Sequence, residues 1–517
     1  MSASTEKKLR QAAREAGTDK KMLAAQEEAR KKARSKLRWT IGTIAVILLI
    51  AFILFLNSGL LYKTTAYTVG DKDYSAAEVS YYYANQYNYW ANQYGNYAYL
   101  FGLDTSNGIR GLGKQDCPMS DGTWKDYFLS AAENEMLQVK ALNDYAKANG
   151  IELDGEEIAA IDSSLADIDS YAKIQGYASA DKMLAANYGQ GVTVSMVRQA
   201  YLDSSLASKV TEQVNDSFSY TDAQLEEKYA SYEGSNDMFD FAYYLVEAEK
   251  TTTKDADGND TETVTPEALD VAMVKAEAIE EAYKKAEGDS SLDRLNAAIA
   301  GLVPGDTATE QSNVTGSSIS IAPDWLRDSS REAGDVTFEE NSAGTGYHVV
   351  VFLNRDDNHY RTVSVRHILI KAEPSEDGSY TDEAKATAKA RAEEILAEFE
   401  AGDRTEDSFA ALANEYSEDA GSNTNGGLYE NIHKGQMVKE FNDFCFDDHK
   451  AGDTAIVYGE SGSYAGYHVM YYVGQGELYS NYLAGQDLRA ADLTAWMDEL
   501  TSGYEAVVKS GIRYVGK

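Results

Sequence analysis

The sequence has few of the residues that identify most enzyme chemistries. It contains 2 cysteines, 5 prolines and 6 histidines among 517 residues. Two cysteines are too few for a disulfide framework, so packing has to stabilise the fold. The histidines follow no metal-binding spacing, and no G-x-S-x-G, Walker or C-x-x-C motif is present. Hydrolase, phosphoryl-transfer and redox chemistry therefore lack a supporting motif, and neither a metal nor a cofactor is predicted.

Positive charge is also scarce, except at the N-terminus. The chain holds 47 Lys and Arg against 84 Asp and Glu, a net charge of −37 at pH 7. Residues 1–38 contain 12 of the basic and only 5 of the acidic residues, so the rest of the chain is more acidic still. An acidic surface keeps a protein soluble and repels phosphate backbones. Nucleic acid is therefore excluded as a partner.

One uncharged run follows the basic segment. Residues 39–61, WTIGTIAVILLIAFILFLNSGLL, carry no charge over 23 residues, and ~20 apolar residues suffice for a helix to cross a bilayer. The positive-inside rule places residues 1–38 in the cytoplasm and the rest of the chain outside. A cleaved signal peptide is the alternative, but its apolar run is shorter, roughly 7 to 15 residues, and no A-x-A-like site follows Leu61. The sequence therefore predicts a single-pass protein of the cytoplasmic membrane.

Helical periodicity dominates residues 62–235 and returns in residues 477–517. The patterns predict helices at 153–176, 180–188, 193–218 and 221–232, and an amphipathic helix from Ala491. The N-terminal region is therefore predicted to be all-α.

Nine tyrosines lie between Tyr74 and Tyr99 in this region. Helical spacing places four aromatic residues on one face: Tyr83, Tyr87, Trp90 and Tyr94. The face either packs within its own domain or forms an amphipathic surface that accepts unfolded peptide.

The sequence between the helical regions repeats itself. GYHVVVFLN begins at Gly346, and GYHVMYYVG begins 120 residues later at Gly466. FDFAYYLVEAE from Phe239 and VSVRHILIKAE from Val363 each indicate a strand that leads through a polar loop into a long helix. A repeat of this length predicts two tandem α/β domains, residues 236–358 and 359–476.

The second copy contains four motifs in a connected order. They are RHILIKAE from Arg366, FAALANEYSEDAGSNTNGGLYE from Phe409, KGQMVKEFNDFCF from Lys434 and YAGYHVMYYVG from Tyr464. Together they resemble the parvulin family of peptidyl-prolyl cis/trans isomerases over about residues 360–474. With its helical regions and its membrane segment, the whole chain resembles the extracytoplasmic foldases of the PrsA and SurA kind. The implied fold class is α+β multidomain, with two parvulin-like domains and an all-α, chaperone-like lobe. In that family the C-terminal helix returns to the N-terminal helices to complete the lobe, so the resemblance implies the same return here for residues 477–517.

The resemblance implies a role for each residue that matches a motif. The catalytic positions are those of His367, Asp419, His468 and Ser463. The pocket for the proline ring is formed by Leu428, Met437 and Phe441. The link from GGL to GQM is one residue longer than usual, which predicts a reshaped rim near Tyr429 and His433.

Strand alternation is consistent with this placement. His367 shares a face with Leu369, and His468 shares a face with Met470, while Ile368 and its alternate neighbours face the core. Two histidines can then meet on one side of a sheet. Asp419 is the awkward member, because a carboxylate aimed at a carbonyl oxygen repels it. We expect it to share a proton or a hydrogen bond with a histidine.

The first copy lacks these groups. Aligning the copies places Tyr243 on His367 and His348 on His468, and no GGL-like or GQM-like segment precedes Trp325. It resembles a parvulin domain that has lost its site and kept its fold.

The resemblance implies a foldase that isomerises Xaa-Pro bonds in unfolded or nascent secreted polypeptides at the outer face of the cytoplasmic membrane. Its oligomeric state stays open. The alternative is a catalytically inactive, membrane-tethered holdase or scaffold that binds peptide through its parvulin folds. A surface adhesion module is a third hypothesis, but such a module would not need paired histidines beside a proline-sized pocket.

Overall fold

The chain divides into two compact units. A computed structural model describes residues 3–18, 20–57, 59–254, 260–462 and 464–517, without the side chains of residues 26, 51–57 and 253. One unit comprises Met1–Phe218 with Asp492–Lys517, and the other comprises Ser219–Ala491. The C-terminal residues thus belong to the same unit as the N-terminal helices.

Helices form most of the first unit and cover the sheets of the second. In chain order they are α1 (Ala3–Glu15), α2 (Lys20–Asn57), α3 (Ala76–Tyr94), α4 (Trp124–Asn149), α5 (Gly155–Ala166), α6 (Ile168–Ile174), α7 (Ala180–Asn187), α8 (Val194–Ser217), α9 (Asp222–Ala230), α10 (Pro266–Tyr283), α11 (Ser291–Leu302), α12 (Pro323–Arg327), α13 (Asp382–Ala401), α14 (Glu406–Tyr416), α15 (Lys439–Phe446) and α16 (Tyr479–Thr501).

The strands are concentrated in the second unit. In chain order they are β1 (Thr65–Val69), β2 (Lys72–Ser75), β3 (Met238–Glu247), β4 (Lys250–Lys254), β5 (Asp260–Val264), β6 (Thr309–Thr315), β7 (Val336–Glu340), β8 (Gly346–Asp356), β9 (Arg361–Lys371), β10 (Leu428–Ile432), β11 (Thr454–Ser461), β12 (Tyr464–Leu478) and β13 (Ala506–Val508).

Aromatic packing forms the core of the first unit. Tyr83, Tyr87 and Trp90 on α3 are buried, and the Trp90 ring lies 4.9 Å from that of Trp124 on α4. Packing therefore accounts for three of the four aromatic residues on the predicted face. The fourth, Tyr94, is 37% exposed.

The prediction that this lobe is all-α is wrong. Strands β1, β2 and β13 form a three-stranded antiparallel sheet in the order β13-β1-β2. A two-residue turn at Gly70 and Asp71 joins the first two strands, and Gly70 adopts a φ of +58°, which glycine tolerates best. The third strand comes from the other end of the chain, so local periodicity could not reveal the sheet.

The predicted membrane segment lies at the end of α2. Among the residues that the structure describes, no helix is long and apolar enough to span a bilayer. The structure therefore has a helix over residues 39–57, within α2, but the described residues do not show the predicted membrane-spanning helix at 39–61. Part of that segment lies outside the described residues, namely the side chains of residues 51–57 and all of Ser58.

The second unit contains two four-stranded antiparallel sheets of the same strand order. The first is β6-β3-β8-β7 and the second is β10-β9-β12-β11. In the second sheet His367 lies opposite Met470, and Leu369 lies opposite His468. In the first sheet Tyr243 lies opposite Val350, and Leu245 lies opposite His348. Tyr243 and His348 thus occupy the register positions of the two histidines, as aligning the copies predicted.

The two faces of the second sheet pack against different helices. Ile368, Ile370 and Val469 form one hydrophobic cluster with side chains of α13 and α14. Val365 and Met470 point to the other face, where they pack with side chains of α15. His367 and His468 alternate with the first set, so they face α15. The sheet therefore presents both histidines on one side, above a buried apolar layer.

Candidate functional site

Two histidines from neighbouring strands form the centre of the site. His367 Nδ1 on β9 lies 3.0 Å from His468 Nδ1 on β12, and the ring centroids are 5.1 Å apart. Both side chains are buried, with 3% and 4% of their surface exposed. At this distance one proton is shared between the two nitrogens as a hydrogen bond.

Asp419 lies at one end of the histidine pair. Its Oδ2 is 3.0 Å from His367 Nε2, and it accepts hydrogen bonds from Ser422 Oγ at 2.6 Å and from the Tyr429 hydroxyl at 3.1 Å. The hydrogen bond from His367 holds the pKa of Asp419 well below its usual range, and the bond from Ser422 lowers it further. The carboxylate is therefore charged at neutral pH and is directed at a histidine, as expected.

The loop that carries Asp419 is hydrogen-bonded to the β9 backbone at His367 and at Leu369. The His367 N–H donates to the Gly427 carbonyl at 2.8 Å, and the Leu369 N–H donates to Ser417 Oγ at 3.1 Å. Gly427 adopts a φ of +71°, and a Cβ there would lie 2.2 Å from the His367 carbonyl oxygen. The loop can therefore approach the strand this closely only with glycine at that position.

Tyr464 lies at the other end of the pair. Its hydroxyl is 3.0 Å from His468 Nε2, and both residues are on β12. Ser463, the hydroxyl residue predicted for the site, lies outside the described residues. Among the described residues, the hydroxyl that lies beside His468 Nε2 is that of Tyr464.

Burial determines the charge of His468. Loss of solvation, with a smaller contribution from His367, lowers the pKa of His468 to about 3. His468 is therefore a neutral imidazole at physiological pH. Burial and the Asp419 charge raise the pKa of Tyr429 to about 12, so its hydroxyl keeps its proton and stays a donor.

An apolar floor lies beside the histidines. The Phe441 ring on α15 is edge-on to both imidazoles, with centroids 5.3 Å from each. Met437 is half-buried and packs on the cluster that contains Phe441 and Met470. Of the three predicted pocket residues, Met437 and Phe441 thus share this apolar cluster beside the pair.

Leu428 lies elsewhere. It pairs with Arg366, and Tyr429 pairs with Val365 on the same strand. Directly paired residues share a face of a sheet, so Leu428 lies on the face away from His367 and Tyr429 lies on the histidine face. The structure therefore does not bring the Leu428 side chain to the site.

The motifs gave no role to Ser422 or Tyr464 and placed Tyr429 only at the rim of the site. Tyr429 and Ser422 bond to Asp419, and Tyr464 bonds to His468. Tyr464 could have been found, because it lies four residues before His468 and alternation places both on one face. Among the described residues, no group of His, Cys, Asp and Glu is arranged to hold a metal ion.

A histidine pair on a four-stranded sheet, beside an apolar floor and backed by a carboxylate, is the arrangement expected of a parvulin-type isomerase domain. Residues 347–471 match the family described as the PPIC-type PPIase domain. The chain therefore carries a peptidyl-prolyl isomerase domain of the parvulin type, which confirms the resemblance read from the four motifs.

Several solved structures are similar to this chain. A peptidyl-prolyl isomerase PrsA from Bacillus anthracis is 21% identical over 28% of this chain and 59% of its own, with a TM-score of 0.18. PrsA from Bacillus cereus is 27% identical over 28% of this chain and 49% of its own, with a TM-score of 0.18. PrsA from Bacillus subtilis is 13% identical over 75% of this chain and 89% of its own, with a TM-score of 0.28. The chain thus spans about half the length of the first two. No curated protein matches it.

Proposed function

We propose that the second α/β domain isomerises Xaa-Pro bonds in unfolded polypeptides. One observation carries the proposal. The Nδ1 atoms of His367 and His468 are 3.0 Å apart, and the ring of Phe441 contacts both imidazoles edge-on. The polar histidine pair is therefore in direct contact with an apolar surface. A prolyl peptide has the same combination, since its ring is apolar and its amide is polar.

The size of the effect required is modest. Amide rotation has a barrier of ~18–20 kcal/mol, and an uncatalysed Xaa-Pro bond takes tens to hundreds of seconds to isomerise. A turnover of ~100 per second needs about four orders of magnitude, or roughly 5.5 kcal/mol. No bond to the enzyme has to form, so no nucleophile, metal or cofactor is required.

An apolar floor contributes because the planar amide is more polar than the twisted one. Resonance places partial charges on oxygen and nitrogen in the planar form, and twisting removes that resonance. A polar group loses solvation when it leaves water, so a dry surface formed by Phe441 and Met437 destabilises the planar form more than the twisted form. The barrier between them falls accordingly.

Asp419 acts through His367 in this proposal. Three donors already surround its Oδ2, so the carboxylate does not have to meet the substrate carbonyl that it would repel. Its charge instead orients the His367 ring, which donates a hydrogen bond to it from Nε2. The negative charge of Asp419 then contributes by orienting His367 and does not oppose the substrate carbonyl.

The proposal extends to the setting of the reaction. The uncharged residues 39–61 and the basic segment before them support a membrane tether with the domain outside, and the clients are then secreted polypeptides. Two experiments test this part separately. Carbonate extraction of membranes tests the tether, and protease added to intact cells tests whether the domain lies outside. A chain released by carbonate or protected from protease would contradict it.

The activity is tested with the purified full-length chain and a short Xaa-Pro peptide, by exchange NMR. We expect acceleration over buffer that is lost in both His367→Ala and His468→Ala. The matched control is His359→Ala, which removes an exposed histidine from the linker before β9. A rate equal to buffer in the folded wild-type chain would contradict the proposal and favour a holdase that only binds peptide.

A further inference from the structure

The Tyr464 hydroxyl has a single partner among the described residues. It lies 3.0 Å from His468 Nε2, and its ring contacts the same imidazole edge-on with centroids 5.8 Å apart. Tyr464 is half-buried, and burial with the Asp419 charge raises its pKa, so it keeps its proton. A phenol proton with one acceptor in reach is donated to that acceptor.

The positions of the other protons in the site follow from this donation. If Tyr464 donates to Nε2, a neutral His468 must carry its own proton on Nδ1. That proton points at His367 Nδ1, which then accepts. His367 must in turn carry its proton on Nε2, where it meets the Asp419 carboxylate. The hydrogen bonds thus run in one direction from Tyr464 to Asp419.

The opposite direction fits the structure less well. If His468 donated from Nε2 to Tyr464, the phenol proton would have no acceptor among the described residues. His367 would then donate from Nδ1, and a neutral His367 would present a lone pair to the Asp419 carboxylate at 3.0 Å. Two acceptors at that distance repel each other.

The neighbouring strand makes room for the Tyr464 hydrogen bond. Gly459 on β11 pairs with Gly466, midway between Tyr464 and His468. A Cβ on Gly459 would lie 2.6 Å from His468 Nε2 and 3.0 Å from the Tyr464 hydroxyl. A side chain at Gly459 would therefore occupy the space in which the two groups meet.

We propose that Tyr464 is a positioning residue that holds His468 in the Nδ1–H tautomer, through a hydrogen bond for which Gly459 leaves space. The residue orients the histidine pair and does not itself meet the substrate. The inference rests on the proposed function, since an oriented pair affects isomerisation only if the pair serves that reaction.

The experiment measures tautomer and activity separately in the full-length chain. Histidine is labelled with ¹⁵N, and the ring nitrogens of His468 are assigned in wild type and Tyr464→Phe. We expect a protonated Nδ1 in wild type and a shift of protonation toward Nε2 in the variant. Because one hydrogen bond is lost, we also expect kcat/KM for a prolyl peptide to fall about tenfold, mainly through kcat.

Two further variants separate positioning from general damage. Gly459→Ala keeps both groups but fills the space between them, so it should shift the tautomer as Tyr464→Phe does. Tyr467→Phe removes a hydroxyl from the opposite face of the same strand and should change neither readout. An Nε2–H tautomer in wild type, or an unchanged tautomer in Tyr464→Phe, would overturn the proposal. A shifted tautomer without isomerase activity in wild type would instead overturn the proposed function alone.

Discussion

The two sheets of the second unit have the same strand order but different side chains at corresponding positions. In the second sheet the pair is His367 and His468, whose Nδ1 atoms are 3.0 Å apart. In the first sheet the pair is Tyr243 and His348, whose rings meet edge-on with centroids 5.6 Å apart. An edge-on ring contact is a packing interaction, whereas a bond between two imidazoles can transmit the position of a proton.

The surroundings differ as well. Asp419 lies three residues after the end of α14. The corresponding position in the first domain, three residues after the end of α11, is Gly305. The next residue, Asp306, accepts a hydrogen bond from the Tyr244 hydroxyl, on the opposite face from Tyr243. The position that corresponds to Asp419 is thus a glycine, and the neighbouring carboxylate accepts its hydrogen bond on the other face of the sheet.

The scaffold and the site are therefore specified by different residues. The scaffold depends on buried strand residues and on glycines where strands approach closely. The site depends on a few polar side chains and on the loop from Ser417 to Gly427. We propose that the first domain kept the former and lost the latter, and four predictions follow in order of expected effect.

Placing the tyrosine of the first sheet into the second should have the largest effect. His367→Tyr interrupts the series of hydrogen bonds from His468 to Asp419. The rate of isomerisation of a prolyl peptide should therefore fall about 100-fold or more, the range for loss of a positioned polar group. Exchange NMR measures the rate, and thermal unfolding checks that the domain is folded. Activity within a few-fold of wild type in the folded variant would show that the pair is not the site.

The glycines that begin the two GYH segments, Gly346 and Gly466, test whether the scaffold is shared. A Cβ on Gly346 would lie 2.3 Å from the Val246 carbonyl oxygen, and one on Gly466 would lie 2.5 Å from that of Ile370. Each alanine variant should therefore lower the free energy of unfolding by about 2 kcal/mol, measured with urea. Only Gly466→Ala should also reduce isomerisation.

The control for the glycines is Gly301→Ala on α11, where a Cβ has no heavy atom within 4 Å. Alanine is favoured over glycine within a helix, so this variant should be neutral or slightly stabilising. A loss of stability at only one of Gly346 and Gly466 would show that the sheets are not built alike.

Asp419 should couple stability to pH in the second sheet. Its pKa is lowered in the folded chain, mainly by the hydrogen bond from His367, while the unfolded chain has the ordinary value near 3.9. Its contribution is therefore present in full above about pH 5 and is lost as pH falls through the lowered folded value. Relative to Asp419→Asn, wild type should be more stable by about 1–2 kcal/mol at pH 6, and this difference should shrink toward pH 2.

Calorimetry at several pH values measures this difference. The control is Asp403→Asn, which removes an exposed carboxylate from the loop after α13 and should leave the pH dependence unchanged. A difference between wild type and Asp419→Asn that grows on acidification would reverse the assigned direction of the pKa shift.

Strand alternation explains which parts of this comparison could be predicted from the sequence. A period of two assigns each residue of β9 and β12 to a face, so the meeting of His367 and His468 followed from local pattern and motif order. Alternation fails across the loop before β10, because Gly426 and Gly427 both adopt positive φ, at +73° and +71°. The motif comparison therefore placed Leu428 in the pocket, whereas the register puts Tyr429 on the histidine face.

Contacts between distant parts of the chain could not be predicted in this way. The sheet of the first unit pairs Tyr67 with Val508, and no local period relates two residues so far apart. The cluster of donors around Asp419 likewise depends on how the loop from Ser417 folds back on β9. Such contacts are set by tertiary packing rather than by periodicity.

Restoring a histidine to the first sheet should have the smallest effect. Tyr243→His places a second imidazole beside that of His348, but Gly305 supplies no carboxylate to orient it. In a His367→Ala background, we therefore expect no isomerisation above buffer and a change in unfolding free energy of less than about 1 kcal/mol. The same exchange NMR assay measures the rate, with His367→Ala alone as the control. Acceleration by the double variant would show that two imidazoles suffice without Asp419, and that the first sheet lacks only one side chain.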